Sequence, residues 1–88
     1  MEFNQPKDFI EPILQILRDR GGSAKLKDIY DDFEKRYGKY LPPRYLTDIV
    51  DGDIRWKDEI NRCRYQFLRP LLIPPNHPDH KKGTWELL

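Results

Sequence analysis

Cysteine is nearly absent from this chain: Cys63 stands alone, so no internal disulfide can form. That suits a reducing compartment, and the expectation is a cytoplasmic protein. Histidine is as scarce, with His77 and His80 only. A structural zinc site takes four ligands, most often with several cysteines, so the two histidines of the His77-Pro78-Asp79-His80 run make no metal site and no cofactor is expected. No apolar run approaches the roughly 18 residues of a membrane span, and a membrane partner is not expected. Residues 1–6 are neither basic nor apolar enough for a secretory signal. The chain also lacks a glycine-rich phosphate loop, a paired-carboxylate metal site and a serine triad. Cys63 lies on an apolar stripe, away from the exposed, positive setting that a nucleophilic thiolate needs. No enzyme is expected here; any catalysis would reside in another domain.

Excess charge of one sign is missing too. Sixteen basic and 15 acidic residues leave a formal net charge of +1. The distribution is less even than the sum. Residues 1–37 hold seven basic and eight acidic side chains, whereas residues 54–88 hold seven basic and four acidic ones, a surplus of three positive charges. A positive C-terminal segment on a near-neutral body would meet charged partners first. Aromatics, by contrast, are plentiful: two Trp, five Tyr and four Phe in 88 residues. Such residues are rare in disordered chains, so the sequence reads as one folded domain over residues 1–88, with an ordered core over about 7–88.

Apolar residues at helical spacing mark three helices. Phe9, Ile10, Ile13, Leu14 and Leu17 predict the first over residues 7–20, ended by Gly21-Gly22. Ser23 is a good N-cap for a second helix carrying Leu26, Ile29, Tyr30, Phe33 and Tyr37, which stops at Gly38. Residues 38–54 lack strong periodicity. Tyr45, Leu46, Ile49 and Val50 there suit a short helix or turn, and Asp51-Gly52-Asp53 a turn with an N-cap at Asp53. The third strong helix spans residues 54–69. On a helical wheel Trp56, Ile60, Cys63 and Phe67 fall within about 60° of one another and form its buried stripe. Pro70 ends it. Residues 71–73 and 84–87 predict the two strands of a hairpin with a long, turn-rich tip. Trp56 and Trp85 both fall on inward faces, where core packing is the expected role. The expected fold is mainly α with a small β-hairpin: a winged helix-turn-helix of three core helices and a two-stranded wing.

The residue order also resembles a known family, the N-terminal winged-helix domain found ahead of Mrr-type restriction endonucleases. The resembling span is about residues 9–88. It is carried by Arg20-Gly21-Gly22-Ser23-Ala24, Asp28-Ile29-Tyr30, Ile54-Arg55-Trp56, Arg64-Tyr65-Gln66-Phe67-Leu68 and Lys82-Gly83-Thr84-Trp85-Glu86-Leu87. The resemblance implies a module that reads duplex DNA for a restriction-type nuclease, joined to it covalently or as a separate partner. Pro70-Leu71 stands where the family has Gly-Leu, and the wing tip is longer. The family's catalytic domain is outside the resembling span, so nuclease activity is not implied for this chain.

The outward face of the third helix offers side chains of the kinds that meet DNA. Arg62, Asn61, Tyr65 and Arg69 would enter the major groove, where Arg suits guanine, Asn suits adenine and Tyr can donate to phosphate. Arg55 and Lys57 would touch phosphate. In the wing, His80, Lys81 and Lys82 would anchor the backbone. The same charges fit a solvated helix face, and the near-neutral whole leaves open a protein-docking winged helix within a larger complex. Salt dependence of duplex binding separates the two.

Overall fold

The computed structural model describes residues 1–74, 76–78 and 83–88. Among them the fold is mostly helical, with four α-helices and two small antiparallel strand pairs. The helices are α1 (Ile10–Asp19), α2 (Leu26–Tyr37), α3 (Pro43–Thr47) and α4 (Arg55–Cys63). The strands are β1 (Ser23–Lys25), β2 (Ile49–Val50), β3 (Asp53–Ile54) and β4 (Thr84–Glu86). No helix among the described residues is long and apolar enough to cross a membrane.

The core is largely aromatic. Phe9 stacks on Phe33 at 5.2 Å between ring centroids, and Phe33 stacks on Trp56 at 5.6 Å. One ring each from the start of the chain, α2 and α4 thus makes a single column. Such offset and edge contacts add to the area the rings bury. The core reaches further toward the N-terminus than residue 7. Phe3 is buried edge-on to Phe9 and Phe33. The Asp8 carboxylate holds it there, accepting the backbone N–H of Asn4 at 2.9 Å and of Gln5 at 3.1 Å. Across α1 and α2, Arg20 forks onto Asp32 and Arg36 donates to Asp19.

The segment after α1 departs from expectation. Ser23 does not cap α2; it opens β1, and α2 begins at Leu26. Gly21 and Gly22, at φ 79° and 96°, reverse the chain so that β1 can pair with β4. Ala24 sits opposite Trp85, and both are buried. The small residue leaves room for the indole, and that fit draws residues 23–25 into the sheet. The expected hairpin partner, residues 71–73, makes only a bridge from Leu72 to Leu87, flanked by Ile73 N–H donating to Glu86 O and Leu88 N–H to Leu71 O. Asp53 is likewise not an N-cap. It belongs to β3, paired with β2 across a turn in which Asp51 and Gly52 both have positive φ, 51° and 82°. An Asp-Gly pair with left-handed backbone is what a tight hairpin turn requires. The N-cap of α4 is Ile54.

The third expected helix is three pieces. α4 stops at Cys63, a π-helical turn covers Arg64–Leu68, and a 3₁₀ turn covers Arg69–Leu71. Trp56, Ile60 and Cys63 are buried as expected, but Phe67 is 39% exposed and Leu68 is fully buried in its place. A π turn takes about one residue more than an α turn, so the core-facing position slips from 67 to 68. Pro70 supplies the cause: it has no N–H, and its ring crowds the carbonyl four residues earlier, which disfavours a regular helix there.

Candidate nucleic-acid interface

Trp56, Ile60 and Cys63 point one side of α4 into the core, so the rest of the helix is left for solvent or a partner. How free its side chains are differs along its length. Arg55 at the first position is ion-paired to Asp48 at 3.2 Å and lies over the Tyr45 ring. Lys57 covers the rings of Tyr30 and Trp56 at 5.1 and 5.5 Å, with its ammonium partly shielded by them. Asn61 is half-buried rather than outward. Its Nδ2 donates to the Tyr30 hydroxyl at 2.8 Å and to Lys57 O at 3.0 Å, so its amide ties α4 to α2. Arg62 is exposed and donates to Asp58 at 2.7 Å, one helical turn back; that hydrogen bond raises the guanidinium pKa. An exposed pair of this kind is weak and can open toward a stronger anion.

From Arg64 to Pro78 the sequence holds no acidic residue. Tyr65 is 67% exposed and free of hydrogen bonds among the described residues, and Arg69 lies over its ring at 5.8 Å. Arg64, which the sequence reading left out of the candidate site, stacks its guanidinium on the buried Trp85 at 4.9 Å. Burial foremost, and then the like charge of Arg69, lower the Arg64 pKa. Of the eight arginines in the chain, Arg18, Arg20, Arg36, Arg55 and Arg62 reach carboxylates, and Arg44 donates to Asn4. Arg64 and Arg69 are the two with neither kind of partner among the described residues. They line a pocket of about 90 Å³ with Tyr65, Leu72, Ile73 and Pro74. The sequence does hold a signal for it: the proline at 70, which breaks helical register just where these cations gather.

His80, Lys81 and Lys82 lie outside the described residues, as does the Asp79 of the run that begins at His77. Among the described residues no three His, Cys, Asp or Glu side chains come together as metal ligands would. Cys63 is fully buried, and that burial, with the nearby Glu59 charge second, pushes its thiol up to about 12. It stays protonated at neutral pH and is packing material rather than a nucleophile.

No family model, no curated protein and no solved structure matches this chain, so the resemblance to the Mrr-associated domain rests on the residues quoted for it.

Proposed function

We propose that this chain is a winged helix-turn-helix module that binds duplex DNA and catalyses no reaction itself. In this reading α1, α2 and α4 are the three core helices, and the segment from Ile73 to β4 is the wing. α4 with its π-helical extension reads the groove. One observation carries the proposal: Trp56, Ile60, Cys63 and Leu68 anchor this helix while Arg62, Tyr65 and Arg69 remain exposed. The major groove admits one α-helix, so one polar face is enough. Arg62 and Tyr65 would reach base edges or phosphates. Arg55 and Lys57 would add phosphate contacts once their present partners yield, and Lys81 and Lys82 would do so from the wing. Asn61 supports the helix and takes a lesser part, because Tyr30 occupies its amide. The resemblance given above adds a restriction-type nuclease as the protein served by the module.

The test is affinity for a random duplex over a salt series. Binding should weaken with a log–log slope near −0.9 for each phosphate contacted. The variant Arg62→Glu should lower both affinity and slope. An absence of duplex binding at about 50 mM salt would reject the proposal in favour of a protein-docking role.

A further inference from the structure

Two arginines with no anionic partner among the described residues stand out in a chain that pairs nearly all its other arginines. Arg64 is half-buried on Trp85 and is held in one orientation by the stacked ring. Arg69 is close enough for its charge to be felt at Arg64, and neither is paired with a carboxylate among the described residues. A planar guanidinium fixed in this way suits a planar two-oxygen anion. Tyr65 adds its ring to the lining, and the rest of the wall, Leu72, Ile73 and Pro74, is apolar in its side chains. Next to it Leu71 is 45% exposed, and Leu88 is 76% exposed and hydrogen-bonded to the Leu71 carbonyl.

We infer that this pocket docks an acidic, apolar peptide segment of a partner protein, its carboxylate between Arg64 and Arg69 and its apolar side chain on Leu72, Ile73 and Pro74. Charge alone would suit a nucleic acid as well, and the rest of the lining decides. A duplex is met by protruding side chains that enter its grooves, and its outer sugar–phosphate surface offers little apolar area to cover a concave wall. A glutamate or aspartate next to a leucine or phenylalanine satisfies both halves of the pocket. This is a second surface, beyond the DNA reading and adjoining it. Tyr65 and Arg69 are common to the two, but Arg64 and Ile73 belong to the pocket alone.

The experiment selects ligands for the intact chain from a library of short random displayed peptides, then maps an enriched peptide by amide chemical shifts. Enrichment of acidic residues beside large apolar ones is expected, with saturable shifts at Arg64, Arg69 and Ile73. Replacing the peptide's acids by their amides should weaken binding about tenfold or more, as should Arg64→Glu. Because Arg64 also packs on Trp85, Ile73→Ser provides a second variant, expected to weaken the peptide while retaining the wild-type spectrum. Ile73→Ser, which changes no charge, should alter duplex affinity by no more than about twofold. Peptides enriched without acidic residues, or shifts that fall elsewhere, would overturn the inference. So would a short duplex that displaces the peptide and shifts Arg64 and Ile73 more strongly, since the pocket would then belong to nucleic acid. Failure of duplex binding with peptide binding intact would reject only the DNA reading.

Discussion

Glu59 is the one charged side chain enclosed by the core among the described residues, and its Oε2 accepts the Tyr45 hydroxyl at 2.7 Å. Tyr45 is itself fully buried, and Cys63 is buried one helical turn beyond Glu59. Removing the phenol oxygen would leave a buried carboxylate short of a donor. Tyr45→Phe should therefore cost about 1–3 kcal/mol at neutral pH, read by urea denaturation; unchanged stability would mean that Glu59 finds another partner. The alkaline limb of stability follows from the same residues. Burial, then the hydrogen bond to Glu59, raises Tyr45 from 10.0 to about 12. Burial raises Cys63 from 9.0 to about 12. Both folded values exceed the unfolded ones, so the folded state holds these protons more tightly. Their stabilisation is complete below pH 9 and is lost as pH climbs from about 9 toward 12. In Cys63→Ala the decline should begin nearer pH 10, where Tyr45 alone drives it; an unchanged onset would contradict the assignment. This residue-level chemistry was only half legible in the sequence. The apolar positions of α4 announce Cys63 as buried, but Tyr45 lies in a segment without periodicity, and nothing local pairs it with Glu59. Asn61 escaped for a similar reason: its partner, Tyr30, is 31 residues away on another helix.

The π turn over Arg64–Leu68 sets the helical stripe against the observed packing. A continuous α-helix would bury Phe67, whereas the π turn buries Leu68 and turns Phe67 outward. Leu68→Ala should cost about 2–5 kcal/mol, as large-to-small changes in cores do. Phe67→Ala should cost under about 1 kcal/mol, because much of that ring is already in water. The reverse order in denaturation midpoints would restore the regular helix. The helices themselves were readable because their stripes are long and regular, as Ile13, Leu14 and Leu17 in α1 and Ile29 and Phe33 in α2 illustrate. β1 was not, since three residues, Ser-Ala-Lys, look like a helix cap until Trp85 is placed opposite Ala24. β2 and β3 are two residues each, too short for alternation to register, although the Asp51-Gly52 turn between them was plain.

Over the whole molecule, pairing has distributed the charge unevenly. Arg20 and Arg36 are spent on fastening α1 to α2, and Arg55 on Asp48. Asp48, Asp51, Asp53 and Asp58 cluster in sequence around the start of α4, whereas Arg64 and Arg69, beyond its end, have no carboxylate partner among the described residues. Among the described residues the C-terminal surplus therefore lies just beyond the end of α4, beside residues 72–74. An anionic partner should approach from that end. The sum over the chain could not show this, because it counts paired and unpaired arginines alike. The topology was legible in outline, as helices followed by a strand that returns to the sheet. The edge contributed by residues 23–25 became visible only with the strand register.

The central claim is that the exposed side of α4 and its π-helical extension is the surface that meets duplex DNA. Amide chemical-shift mapping of the labelled chain against a short duplex tests it most directly. Shifts should concentrate at Arg62, Tyr65 and Arg69, fade as salt is raised, and diminish in Arg62→Glu. Shifts confined to α1 and α2, or a spectrum unmoved by duplex at low salt, would contradict the claim.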